Sequence, residues 1–251
     1  MTMSDGANAS VDPSEIAKFA AIADRWWDEN GPAKPLHLMN PCRLGYIKSQ
    51  IAAEFGRDET ARYALDRLAI LDIGCGGGLV CEPLARMGAS VSGIDAASEN
   101  IDVAQQHAND VGLDIDYRAI TAEALAETGA TFDAVLALEI VEHVADPQAF
   151  VATIARLTRP GGVAIMSTLN RTAASYAVAI LGAEYILQLL PKGTHDWARF
   201  PKPEELEGWM QAAGLETLDR RGMRLDPLQA GFSLSRDLSV NYLITASQPK
   251  P

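Results

Sequence analysis

From Leu68 onward, short apolar runs alternate with longer stretches whose apolar residues recur every three or four positions. The short runs Ala69–Ile73, Ser90–Ile94, Ile115–Ile120, Phe132–Leu138 and Val163–Thr168 predict strands buried on both faces of a parallel sheet. Between several of them, Leu79–Met87, Ser98–Val111 and Pro147–Leu157 carry the helical period. After Pro203 the pattern predicts one more helix, to Ala213, a strand near Leu215–Gly222 and a last strand near Val240–Gln248. Strand–helix–strand units with short connections imply right-handed crossovers. The fold class read here is therefore α/β, a Rossmann-like, doubly wound, mostly parallel sheet of seven strands.

Residues 1–67 read as a helical extension of the main domain, residues 68–251. Asp12 and Pro13 followed by Ile16, Phe19, Ala20, Ala23 and Trp26 predict a capped amphipathic helix with its proline in the first turn. Pro32, Pro35 and Pro41 predict a break, Leu44 to Phe55 a second helix, and Arg57 to Arg67 a charged link. After the fifth strand, Ala173 to Leu190 is apolar apart from Ser175, Glu184 and Gln188. A membrane-spanning helix needs about 20 mostly apolar residues without an internal acid, so this insertion reads as a lid or surface helix. Around it, Arg171, Lys192, Arg199 and Lys202 outweigh Glu184 and Asp196. Residues 171–202 are the expected site of any peripheral membrane contact.

Composition narrows the class of partner. The 251 residues are 48% hydrophobic, enough for one sizeable core. A formal charge of −12 opposes attraction to nucleic acid, which is not an expected partner. Three cysteines, Cys42, Cys75 and Cys81, lack metal-type spacing and point to a reducing compartment. Residues 1–12 have neither a cationic start nor an apolar core, and Asp5, Asp12, Glu15 and Asp24 argue against a transit peptide. The expected location is the cytoplasm, with the inner face of the cell membrane as a peripheral site.

The chemistry begins at the end of the first strand, in Asp72-Ile73-Gly74-Cys75-Gly76-Gly77-Gly78. Gly74, Gly76 and Gly78 allow a tight turn and close approach of backbone to a ligand. A dinucleotide fingerprint would want glycine at 79, where Leu79 stands. An acid two residues before the first glycine suits a nucleoside–methionine ligand better, because Asp72 can bind its ammonium directly or through water. The second strand leads into Asp95, where an acid can accept ribose hydroxyls or cap the helix that follows. Beyond the fourth strand, Glu139, Glu142 and His143 stand at i, i+3 and i+4 and would share one face in helical or turn geometry. They could hold a divalent cation, or the carboxylates could orient His143 as a general base.

With these residues in view, the chain resembles the ubiquinone-biosynthesis O-methyltransferase family over nearly its whole length. The resemblance rests on Ala23-Asp24-Arg25-Trp26-Trp27-Asp28, Asn40-Pro41-Cys42-Arg43-Leu44-Gly45-Tyr46-Ile47, the Asp72–Gly78 loop, Glu139-Ile140-Val141-Glu142-His143, Ser167-Thr168-Leu169-Asn170-Arg171 and Pro191-Lys192-Gly193-Thr194-His195-Asp196. It implies a class I methyltransferase that uses S-adenosyl-L-methionine to methylate ring hydroxyls of lipid-soluble polyprenyl phenols, with a biosynthetic complex as a further partner. It also implies cofactor contacts at Arg43, Gly74, Asp95 and Leu138, a metal such as Mg²⁺ at Glu139, Glu142 and His143, and lipid contact after Arg171. Cys42 departs from the leucine usual in the pattern. A methyltransferase for another small aromatic acceptor, a nicotinamide oxidoreductase and a non-catalytic adenosyl-binding membrane adaptor are the other readings the residues leave open.

Overall fold

The computed structural model describes residues 13–177, 197–226 and 231–250. Eight strands form one sheet in the order β3-β2-β1-β4-β5-β8-β6-β7. In chain order they are β1 (Ala69–Ile73), β2 (Ser90–Asp95), β3 (Asp116–Ala119), β4 (Phe132–Leu138), β5 (Thr158–Leu169), β6 (Glu216–Asp226), β7 (Gly231–Ser235) and β8 (Asn241–Ser247). β1 to β5 run parallel, and β8 enters antiparallel to β5. The helices are α1 (Pro13–Ala20), α2 (Lys34–Glu54), α3 (Cys81–Arg86), α4 (Ser98–Asp110), α5 (Ala122–Ala126), α6 (Pro147–Leu157), the one-turn α7 (Ala173–Ser175) and α8 (Pro203–Ala212).

Strand alternation divides the apolar interior into two layers. Ile70, Ala134, Leu136 and Ile165 face a core shared with α2, α3 and α4, whereas Leu71, Val135, Ala137 and Ala164 face one shared with α6 and α8. Local chemistry fixes where helices begin. Asp146 Oδ1 accepts from the Ala149 N–H at 3.0 Å, and Pro147 occupies the first turn of α6. Thr121 caps α5 in the same way.

Four features differ from the sequence expectation. The break expected at Pro35 and Pro41 is absent, because α2 runs unbroken from Lys34. Pro35 lies in the first turn, where an N–H is dispensable; Pro41 forgoes one helical hydrogen bond, and the buried face of Arg43, Tyr46, Ile47 and Ile51 holds the helix together. The first helix stops at Ala20, with Ala23–Arg25 forming a separate 3₁₀ turn before Trp26. Pro160-Gly161-Gly162, a run that predicts a tight turn leading into the fifth strand, lies inside β5 as an irregularity in its pairing with β4, between the Phe132 and Ala134 positions. The eighth strand, β7, forms a hairpin with the far end of β6, and its half-polar Gly-Phe-Ser-Leu-Ser run carries little apolar signal. Of the expected inserted helix, α7 is described, capped by Thr172, and the remainder, residues 178–190, lies outside the described residues. Among the described residues no helix is long and apolar enough to cross a membrane.

Leu136 is fully buried at the centre of β4. Leu136→Ala should cost about 3 kcal/mol of unfolding free energy, read from the urea midpoint at unchanged slope.

Candidate active site

The carboxyl ends of β2, β1 and β4 lie side by side, and the connections diverge between β1 and β4. Such a switch point opens a crevice in a parallel sheet. Here a cavity of about 800 Å³ occupies it, lined by Arg43, Asp72, Gly74, Gly76, Asp95, Leu138, Glu139 and His143. Every expected site residue except Glu142 therefore meets in one place.

The turn after β1 depends on glycine in a specific sense. Gly74 has φ +70°, and a Cβ there would lie 2.2 Å from Ile140 Cδ1. Gly76 has φ +53°, and its N–H donates to Asp95 Oδ2 at 3.1 Å, which ties the first turn to the end of β2. Asp95 Oδ1 also accepts from the Ala97 N–H at 2.8 Å and from Asn100 Nδ2 at 3.3 Å. Burial raises the Asp95 carboxyl, and these donors oppose the shift. The N–H groups of Gly76, Ala96 and Ala97 and the Asn100 amide thus orient the carboxylate at the edge of the cavity.

Asp72 is buried beneath the turn. Burial pushes its carboxyl up to about 7, against the Cys81 thiol, which donates to Oδ2 at 3.4 Å, and the Arg43 charge. Arg43 comes from α2 and is only 3% exposed. Its Nη2 donates to Asn40 Oδ1 at 2.5 Å, while Nε and Nη1 are buried without a protein partner. Asp72 and Glu139 offset the desolvation of this guanidinium. Two orphaned N–H donors on a buried cation, beside an acid at a glycine turn, fit the carboxylate and ammonium of an amino-acid ligand.

Past β4 the three expected residues separate. Glu139 adopts a left-handed backbone, φ +55°, and Val141 to His143 form a turn. Ser167 stabilises this conformation from β5: its carbonyl accepts from the Glu139 N–H at 2.9 Å, and its hydroxyl donates to Glu139 Oε1 at 2.7 Å. His143 reaches the cavity and packs edge-on against Phe19 of α1, ring centroids 5.2 Å apart. Glu142 does not line the cavity and is 3% exposed, with both oxygens buried and lacking a close hydrogen-bond partner. Burial and the neighbouring Glu139 hold its carboxyl well above the usual range, against Thr168 and Arg199. The i, i+3, i+4 spacing predicts one shared face in a helix or turn; the turn that forms here starts from a left-handed residue and does not place Glu142 with the other two at the cavity. Among the described residues no three His, Cys, Asp or Glu side chains gather as a metal-binding group.

Several cavity residues escape sequence reasoning. The apolar period shows Trp26 only as part of a helix, and no local spacing assigns a role to Asn100, although both line the cavity. Met223, Leu225 and Phe232 reach the cavity through the unexpected hairpin.

Comparison with known proteins agrees with this geometry. Residues 71–166 match the family described as Methyltransferase domain. Magnesium protoporphyrin IX methyltransferase from Synechocystis PCC 6803, solved with bound SAM, superposes with TM-score 0.61 at 18% identity, covering 95% of this chain and 98% of that one. The cyclase SpnF shares the fold at TM-score 0.56 and 20% identity, covering 82% and 81%. Fold and site thus define a Rossmann-like, class I S-adenosylmethionine-dependent methyltransferase. A ubiquinone biosynthesis O-methyltransferase of Cereibacter sphaeroides is 56% identical over 242 residues, 96% of this chain and 98% of that protein. Its counterpart in Sinorhizobium medicae is 50% identical over 247 residues, 98% and 100%. The chain belongs to the ubiquinone biosynthesis O-methyltransferase family.

The raised Asp72 carboxyl has a consequence for stability. Between an unfolded value of about 3.9 and the folded value of about 7, the folded state holds the extra proton, so folding weakens as pH rises through that window. Asp72→Asn should therefore stabilise the ligand-free protein by a few kcal/mol above pH 7 and hardly at all at pH 4, read from melting temperatures across pH.

Proposed function

We propose that this chain transfers a methyl group from S-adenosylmethionine to a ring hydroxyl of polyprenylated phenols in ubiquinone biosynthesis, taking a polyprenyl-hydroxyphenol and the demethylated quinol as acceptors. The observation that carries this reading is the single cavity. Arg43, Asp72 and Asp95 surround its glycine turn, while Glu139 and His143 stand beyond β4 among apolar walls that include Leu38, Met39 and Phe232.

When bound, S-adenosylmethionine supplies an electrophilic methyl group on a sulfonium centre. Asp72 holds the ammonium, the free Arg43 donors hold the carboxylate, and Asp95 accepts from the ribose. Leu138 forms part of the apolar wall that excludes water. Much of the catalysis is then alignment in a desolvated pocket. The acceptor still has to lose a proton. A phenol near pKa 10 is ionised about once in a thousand at pH 7, a gap on the order of 4 kcal/mol. His143 is the cavity group suited to take that proton, with Glu139 beside it, fixed by Ser167. The residues expected to share a metal do not fit one ion in this arrangement, since Glu142 does not line the cavity, and no step is assigned to one.

The same reading puts the segment 171–202 at the inner face of the cell membrane, where a polyprenylated acceptor partitions. Its surplus of cations in an otherwise acidic chain supports that contact.

Labelled methyl transfer from S-adenosylmethionine to a short-prenyl catechol tests the reaction. His143→Ala should lower turnover at least tenfold. A nitro-substituted catechol already ionised at the assay pH should recover most of the loss. Near-normal turnover of the ordinary catechol by this variant would sink the proton-transfer role.

A further inference from the structure

The tryptophan pair ahead of α2 contacts the part of the site where Asp95 stands. Trp26 is 7% exposed and lines the cavity. Its ring lies flush on the glycine turn: a Cβ built on Gly76 would come within 2.7 Å of the ring, and one on Gly77 within 2.4 Å of the Trp26 Cβ. Its indole Nε1 donates to Asn100 Oδ1 at 2.9 Å, and Asn100 Nδ2 donates onward to Asp95 Oδ1 at 3.3 Å. Asn100 is fully buried, so this relay is screened from water.

The neighbouring contacts hold the indole in place. Trp27 Nε1 donates to the Gly77 carbonyl at 2.9 Å, and its ring stacks on His107 at 3.5 Å with planes 5° apart. His107 in turn donates to Glu82 Oε1 at 2.5 Å. On the other side His37 Nε2 donates to the Trp26 carbonyl at 2.9 Å. The segment before α2 is thus fastened to α4, to the glycine turn and to α2 itself.

We infer that Trp26 is a positioning residue of the cofactor site, orienting Asp95 through Asn100 so that its carboxylate meets the ribose hydroxyls of the adenosyl ligand. An amide can turn either its oxygen or its nitrogen toward a neighbour. The indole N–H can only donate, so it fixes the Asn100 oxygen on its own side and leaves the amide N–H₂ for Asp95. The inference rests on the reading of Asp95 as the ribose acceptor.

Trp26→Phe removes the indole donor together with the part of the ring that lies on Gly76, and a dideoxy ligand reads the packing part of that loss. Binding of methylthioadenosine and of its 2′,3′-dideoxy counterpart to the purified full chain, followed by calorimetry, separates positioning from packing. The wild type should prefer the ribose form. Trp26→Phe should weaken the ribose form about three- to tenfold and leave the dideoxy form nearly unchanged. Asn100→Ala should reproduce that pattern, and the double variant should lose little more than either alone. Equal weakening of both ligands, or additive losses in the double variant, would overturn the relay. A wild type indifferent to the ribose hydroxyls would overturn the reading of Asp95 itself, and the inference with it.

Discussion

A buried guanidinium is the constraint around which the site is assembled. Arg43 reaches the cavity from α2, whereas the two acids that offset its burial stand at the ends of β1 and β4. An isolated buried cation is costly, and each acid would also be costly alone. The acids offset part of the cation's cost without cancelling their own, and the pairing requires α2 to dock over the junction of the two strands. The helical extension is therefore part of the site, and its Ile47 and Ile51 share a core with Ile70 and Leu136 of the sheet.

The same constraint accounts for backbone conformations that would otherwise look like unnecessary strain. A residue continuing straight from β4 would carry its side chain to one face of the sheet. The left-handed Glu139 turns the chain aside instead, and two hydrogen bonds from Ser167 offset a conformation that costs about 1–3 kcal/mol. The glycine turn makes the matching departure on β1, where Ile140 fills the space a Cβ would need. Ile140 follows Glu139 directly, so each turn helps to shape the other.

These relations explain what can be read in advance. The central strands β1, β4 and β5 are legible because a strand buried on both faces shows as a mostly apolar run, and Ala69–Ile73 and Phe132–Leu138 have the same bounds in the pattern and in the structure, whereas the edge strand β3 is buried only at Tyr117. Asp72, Gly74 and Asp95 are legible because the spacing of a strand-end turn is local. Contacts across the fold have no such local spacing. Nothing in the sequence pairs Trp26 with Asn100 or Glu139 with Ser167, residues far apart in the chain. Periodicity misleads where backbone conformation decides direction: Glu139, Glu142 and His143 have helical spacing, but one left-handed residue sends Glu142 inward. Proline misleads in α2 because tertiary burial outweighs a lost hydrogen bond.

The distribution of unsatisfied groups completes the physical picture. Arg43 Nε and Nη1 are orphaned, and the raised Asp72 lies close to them beneath the turn. Away from the cavity, Asp133 accepts from the Ala69 N–H at 2.7 Å and from Arg159 Nε at 2.5 Å, so a partly buried acid on the same sheet is fully engaged. Buried polar atoms without a hydrogen-bond partner occur elsewhere too, as at Ser233 and Gln248, but those of Arg43 belong to a charged side chain that lines the cavity beside Asp72. Such groups cost stability in the empty protein, and a ligand that supplies their partners recovers that cost as binding free energy. A zwitterionic amino-acid group meets both needs at once, offering a carboxylate to Arg43 and an ammonium to Asp72. A neutral or singly charged ligand would leave one of them buried and alone, so in the proposed reading selectivity for the cofactor's methionine end would follow from the same imbalance that weakens the empty site.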